Sequence, residues 1–427
     1  MRSAVLGSMR LRVVDYVANL GGGIRFSVEA MRPLLERGDV RLDVVSHGPG
    51  LERYRSLLAS RDRCRVIDLP PANLHRLNVI MQGKPGAGPL NWLLGRPEFH
   101  FDVPKEALED TDVVWFPWLH RHRVPSQPVP RIIGSLHDVI ILEFPGIVPE
   151  RFRKDEHETI RRWLRSAATV AVSSRATRDT LRKIFGGDAD RVMVVPISGE
   201  HAEPRKEIGR QHWPFEAAPF LISPANVTAH KNHEVLFAGV GAWRAQHPLV
   251  LTGEGTALFA NDNPRSRALR RAASRAGLEW ERTLFGLGYV GDPTYYALLD
   301  EAWGLVMPTL AEGGGSFPVM EAMYRGLPVI ASDIPVLREM AERMEGEPIW
   351  FDPRSAADLA RKLGDLEQHY DEYQAAAREQ AGRLRRRTWN DVSRDYGDLI
   401  GLPRNEGSNV EERTRDSRND GGSLNDG

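Results

Sequence analysis

One cysteine in 427 residues, Cys64, leaves the chain no partner for an internal disulfide. Charge of neither sign prevails either: 57 Lys and Arg stand against 58 Asp and Glu, a net of -1, so no global field gathers nucleic acid and nucleic-acid partners are not expected. No apolar run approaches membrane-spanning length, and no basic stretch near the start precedes a long apolar one. With the lone thiol, these absences predict a reducing, cytoplasmic setting without export. What is present is ordinary globular chemistry, 41% hydrophobic and 27% charged, which excludes collagen, coiled coil and wholesale disorder. The length exceeds what one core normally serves, so two domains are expected.

Residues 1–8 read as an extension ahead of Met9. "LRVVDYV" then runs as a buried strand, breaks at "NLGGGIRFS" and resumes as a helix through "VEAMRPLLERG". Short Val- and Ile-rich runs follow at 40–46, 112–118, 131–139, 169–174 and 191–197, separated by helical stretches. A polar, proline-punctuated segment at 198–219 intervenes, and a second series begins at 219–225, continuing at 247–253, 282–290, 303–309 and 327–333. Such alternation predicts an α/β fold of two doubly wound, Rossmann-like domains facing a central cleft, over 9–200 and 215–385. Residues 403–427 are polar and charged and read as a disordered tail.

The segment "AEGGGSFPVMEAMYRGLPVIASD" (311–333) carries the most chemistry. It leaves the strand-like "WGLVMPT" and enters a helix, with Pro318 suited to the first turn and Gly326 to the end. Open α/β sheets bind ligands at the carboxyl ends of their strands, so this loop faces the cleft. Gly313, Gly314 and Gly315 lack Cβ atoms, and the following helix points its positive end at the same place, which favours a phosphate. Glu321, near the start of that helix, suits a vicinal diol such as ribose. Glu312, before the glycines, can serve hydroxyls on the far side of the phosphates. A phosphate between two hydroxyl-bearing groups describes a nucleotide sugar, whereas a plain turn flanked by surface glutamates would show the same letters.

Three further segments bear on that choice. Lys231, in "SPANVTAHKNHEVL", sits where a loop enters a helix and can place a cation on a diphosphate, although a lysine at such a spot is often only solvated. His137 and Asp138 end a strand of the first domain and look across the cleft, where a histidine can equally be structural. Gly22 and Gly23 permit close backbone approach after the first strand.

In this order the segments resemble the retaining GT-B glycosyltransferases of family 4, over roughly residues 11 to 400. "FGLGYVGDPTYYALLDEAWGLVMPTLAEGGGSFPVMEAMYRGLPVIASD" is similar to the family's donor-binding region, and "IIGSLHDVI", "VAVSSRATRDTLRKIFG", "RVMVVPISG" and "HKNHEVL" add to the likeness. The resemblance implies metal-independent transfer of a hexose, mannose or glucose, with retention, from a GDP- or UDP-linked donor to a saccharide or lipid-linked glycan. No separate cofactor is implied. It places Glu312 at the donor sugar, Glu321 on the ribose, Lys231 on the diphosphate and His137 near the reacting carbon. Gly22, Gly23, Asn226, Gly314, Gly315, Ser316 and Phe317 complete the donor contacts, and Trp389 opens a helix at 388–401 that crosses back onto the first domain.

Two departures stand out. The glutamates lie one residue further apart than is usual in the family, and Ala225 occupies a position where many members carry arginine, a role His230 or an arginine from elsewhere would have to fill. Two other functions stay in view: a non-catalytic nucleotide-sugar-binding protein, and a nicotinamide-dependent oxidoreductase suggested by "VANLGGGIRFS" followed by "VRLDVVS". The oxidoreductase fingerprint wants a third glycine where Phe26 stands. Asp188 and Asp190 imitate a metal-binding Asp-x-Asp but sit in a turn between helix and strand. The basic helix 151–166, with Trp163 and Leu164, offers a peripheral membrane contact; its other reading is a solvated helix with one buried stripe.

Overall fold

The structure, a computed structural model, describes residues 8–17, 22–58, 63–74, 99–128, 131–200, 213, 215, 219–243, 247–258, 260 and 262–403. The expected tail from 404, the irregular stretch 75–98 and most of the expected linker lie outside them.

Two parallel sheets divide the chain. The first holds β1 (Met9–Val14), β2 (Val40–Ser46), β3 (Cys64–Asp68), β4 (Val113–Phe116), β5 (Ile132–Ser135), β6 (Thr169–Val172) and β7 (Met193–Val194), in the order β3-β2-β1-β4-β5-β6-β7. The second holds β8 (Leu221–Pro224), β9 (Leu249–Thr252), β10 (Leu284–Gly286), β11 (Gly304–Met307), β12 (Val329–Ser332) and β13 (Ile349–Phe351), ordered β10-β9-β8-β11-β12-β13. β4, β8 and β11 are buried at every position because helices cover both faces of a parallel sheet, so both alternate side-chain sets are buried. In each sheet the strand order reverses beside the first strand, between β1 and β4 and between β8 and β11. Crevices at the carboxyl ends open at those two points.

Two strands were not anticipated. β3 mixes Arg65 and Asp68 into an edge that is buried only at Cys64, and β13 has three residues, too few for a periodic signal. The helix Glu150–Ser166 corrects the membrane reading of its apolar residues. Trp163 and Leu164 are in the core, and Trp163 donates its indole N–H to His122 O at 2.7 Å, so neither is available to lipid.

The helix Trp389–Ile400 is closed at its start by a capping box, in which Asp391 N–H donates to Thr388 Oγ1 and Thr388 N–H to Asp391 Oδ2. It packs on the helix Gly22–Glu36 of the first domain: the Phe26 ring lies 6.2 Å from Trp389 and 5.8 Å from Tyr396. Tyr396 OH meets Ser135 Oγ at 2.8 Å, and Trp389 Nε1–H donates to Glu200 O at 2.7 Å. The end of the second half therefore completes the core of the first. Trp389→Ala is expected to cost about 3 kcal/mol, measured by urea unfolding, because a fully packed indole leaves a cavity.

Candidate active site

The loop after β11 crosses to the first domain and is held there. Gly313 O accepts from Ser174 Oγ at 2.6 Å and from Thr177 Oγ1 at 2.9 Å. A Cβ on Gly313 would lie 2.1 Å from His137 O, and one on Gly314 would lie 2.2 Å from Ser173 Cβ. Gly315 takes φ +120°, a backbone setting that side chains resist. The three glycines thus serve close docking as well as the approach to a ligand that their sequence suggests. The helix Phe317–Tyr324 starts immediately after, with Pro318 in its first turn and Gly326 left-handed beyond its end.

Lys231 lies in a turn, Ala229–Lys231, ahead of the helix His233–Trp243. Its Nζ contacts Glu312 Oε1 at 2.5 Å, with both side chains mostly buried, so two residues singled out separately in the sequence meet. Glu321 is elsewhere, one turn into its helix and 2% exposed at its side chain. It pairs with Arg25 of the first domain and accepts from Tyr296 OH on Oε1 and Tyr295 OH on Oε2, each at 2.8 Å. Gly22 faces Phe317, a Cβ there lying 3.2 Å from the ring, and Gly23 lies over Trp118. Ser316 N–H points at Met340 Sδ at 3.4 Å. Asn226 is exposed after β8, its Oδ1 accepting from Glu254 N–H at 2.8 Å, on the second domain's side of the cleft.

His137 is neutral: burial pushes its pKa down to about 4, against the pull of the Pro117 carbonyl and Asp138. Nε2–H donates to Pro117 O at 2.9 Å and Nδ1 accepts from Ser173 Oγ–H at 2.6 Å, so neither nitrogen is free in this state. Its ring is wedged between Phe26, at 4.2 Å, and Trp118, at 4.7 Å. Phe26, where the oxidoreductase fingerprint would need glycine, is therefore core. Asp188 pairs with Arg165 at 3.0 Å in the turn following the helix Arg175–Phe185.

Behind His137 runs an ionic network that sequence reading missed. His100 donates from Nδ1 to Asp155 at 2.8 Å and from Nε2 to Glu156, while His120 Nδ1 donates to the other oxygen of Glu156 at 2.7 Å. His120 Nε2 lies 3.6 Å from Asp138 Oδ1 at the cleft. Burial works against charge on Glu156, but hydrogen bonds from His100 and His120 hold its pKa down to about 2. Burial opposes charge on Asp138 too, and His120 with the Ile140 N–H holds it down to about 2. His100 and His120 are raised in turn: burial lowers them, and the facing carboxylates more than restore the charge. Arg25, Tyr295 and Tyr296 were likewise missed; Arg25 alone left a trace, as a cation soon after the first glycines of a buried helix.

Residues 218–369 match the family model of glycosyl transferases group 1. The fold is similar to HepE of Anabaena in complex with UDP and glucose, at 16% identity, covering 92% of this chain and 99% of that one, with a TM-score of 0.62. Sucrose-phosphate synthase of Thermosynechococcus elongatus covers 92% and 98% at 15% identity and TM-score 0.63. WaaG, a glycosyltransferase involved in lipopolysaccharide biosynthesis, covers 92% and 100% at 14% identity and TM-score 0.60. At such identities the likeness carries the fold, and no curated protein matches the chain. The two facing doubly wound domains are the GT-B fold. Residues 218–369 are similar to the glycosyl transferases of group 1.

Two outcomes follow for stability. His137 and His230, both pushed by burial to about 4, stay neutral where the unfolded rings protonate, so stability falls as pH drops from 6.5 toward 4. His100 and His120, raised in the fold, contribute fully below pH 6.5 and lose that contribution as pH rises through their folded values. Glu156→Gln should cost about 3 kcal/mol at neutral pH and flatten the alkaline limb of a melting-temperature profile, because two buried imidazoliums lose a shared partner.

Proposed function

We propose that the protein transfers a hexose, glucose or mannose, from a UDP- or GDP-linked donor to a saccharide or lipid-linked glycan acceptor, retaining the anomeric configuration and using no metal ion. The observation that carries this reading is the Lys231–Glu312 pair, with Glu312 in the loop that leads to the helix Phe317–Tyr324, whose first residue lies against Gly22. Negative charge grows on the departing nucleoside diphosphate as the glycosidic bond breaks. Lys231 and the amides of Gly315 and Phe317 at the helix start meet that charge, and they interact more strongly with the transition state than with the bound donor.

Glu312 holds Lys231 in place before the donor arrives and then takes sugar hydroxyls. Glu321 takes the ribose. His137, with both nitrogens engaged, fixes the wall beside the reacting carbon, and its carbonyl lies against Gly313. Asp138, held ionised, faces the acceptor side. No helix among the described residues is long and apolar enough to cross a membrane. The reaction is assigned to the cytoplasm, at the inner membrane face where lipid-linked acceptors are met.

Thermal unfolding with UDP, GDP, ADP and NAD tests the donor class. At about a hundred times its dissociation constant, the right diphosphate adds roughly 2.7 kcal/mol. UDP or GDP is expected to raise the melting temperature, and a response to NAD alone refutes the reading. Lys231→Ala and Glu321→Ala should each lower transfer by about a hundredfold, Glu321→Ala with a lower melting temperature because Arg25, Tyr295 and Tyr296 lose their acceptor. Nucleotide binding without donor turnover would instead identify a non-catalytic binding protein.

A further inference from the structure

Arg25 stands in the first turn of the helix Gly22–Glu36 and reaches across to the other domain. Its guanidinium lies over the Phe317 ring, 4.6 Å from the centroid, pairs with Glu321 Oε1, and donates to Glu200 O at 3.1 Å. Burial works against its charge, yet Glu321 keeps it firmly protonated.

The partner it holds is crowded. A carboxylate offers about four acceptor positions. On Glu321, Arg25 and Tyr296 share Oε1 and Tyr295 takes Oε2, so a vicinal diol seeking two positions must displace a partner. Both tyrosines belong to the helix Asp292–Glu301 of the same domain as Glu321, and they can keep their bonds while that domain stays intact. Arg25 comes from the opposite domain and is the partner that domain motion can remove.

Arg25 also has somewhere to go. Phe317 opens the helix and Glu321 lies four residues on, a rise of about 6 Å. An arginine touching both needs to shift by only about one helical turn to bring its fork to an anion at the helix start. Charge is wanted there, because Ala225 supplies none and Lys231 is already engaged by Glu312.

We propose that Arg25 is a donor-sensing cation: without nucleotide it occupies Glu321 across the cleft, and the arriving diphosphate takes it over and frees Glu321 for the ribose. This rests on the assignment of Glu321 to the ribose made above. Diphosphate and nucleoside then assist each other, since the first removes the competitor of the second.

The full-length protein tests this by calorimetric titration with UDP, GDP, uridine and guanosine, with and without inorganic pyrophosphate. In the wild type, pyrophosphate should tighten nucleoside binding severalfold. Arg25→Gln should bind the nucleoside more tightly than wild type without pyrophosphate, bind the diphosphate about tenfold more weakly, and lose the pyrophosphate effect. Equal changes for nucleoside and diphosphate, or no pyrophosphate effect in the wild type, overturn the proposal. Should Arg25→Gln fail to fold, the wild-type pyrophosphate effect decides alone. Glu321→Ala separates the two levels. Unchanged UDP and GDP affinity there refutes the ribose assignment, whereas weakened affinity beside an unaltered nucleoside-to-diphosphate ratio in Arg25→Gln refutes only the role of Arg25.

Discussion

The backbone of Gly313 lies so close to His137 O that a Cβ would stand 2.1 Å away, and its own carbonyl is claimed by hydroxyls of Ser174 and Thr177. Neither opposing group can yield: one is backbone, and the hydroxyls stand at the capped start of the helix Arg175–Phe185. The meeting of the two domains therefore depends on the absence of a side chain. Other contacts gather around it. Glu339 accepts from the N–H groups of Arg175 and Ala176 at the same helix start, and Phe317 comes to rest on Gly22. The carboxyl ends of both sheets are thereby aimed into one space.

The two sides of that space differ in character. On the first domain, Asp155, His100, Glu156, His120 and Asp138 form a chain of alternating charges that runs from a partly exposed end at Asp155 through the interior to the cleft. Removing any inner member would strand a buried charge, which makes this wall stiff. On the second domain the polar groups are paired with partners that a ligand can replace: Lys231 with Glu312, and Glu321 with Arg25 from across the cleft. A rigid wall facing exchangeable ion pairs suits a site that must admit a charged substrate and then surround it. In the proposed exchange each cation passes to a phosphate and each carboxylate to sugar or ribose hydroxyls, so no charge is left without a hydrogen-bond partner.

Much of the architecture was legible in the letters. Val- and Ile-rich runs separated by helical stretches announce a parallel sheet, since a strand covered on both faces is apolar along its length, as β4 and β11 are. β3 escaped because an edge strand tolerates Arg65 and Asp68, and β13 because three residues carry no period. The helix Glu150–Ser166 shows a different limit. An apolar stripe beneath basic residues reads alike for a membrane surface and a protein core, and only the burial of Trp163 tells them apart.

The site divides in the same way. Glu312, the glycines, Glu321, Lys231 and His137 could be picked out because loops at strand ends obey local rules of backbone freedom and helix polarity. Their partners could not. Arg25 and Glu321 are 296 positions apart, and His100 meets Glu156 across 56, distances over which spacing holds no signal. By itself the sequence determined the two doubly wound domains and which strand ends lead into loops rich in glycine and charge, because burial pattern and turn geometry are properties of neighbouring residues. Only the tertiary structure decided that Glu321 is held by Arg25, that His137 has no free nitrogen, and that the glycine loop seats against the first domain. Those depend on which surfaces meet once both sheets are built.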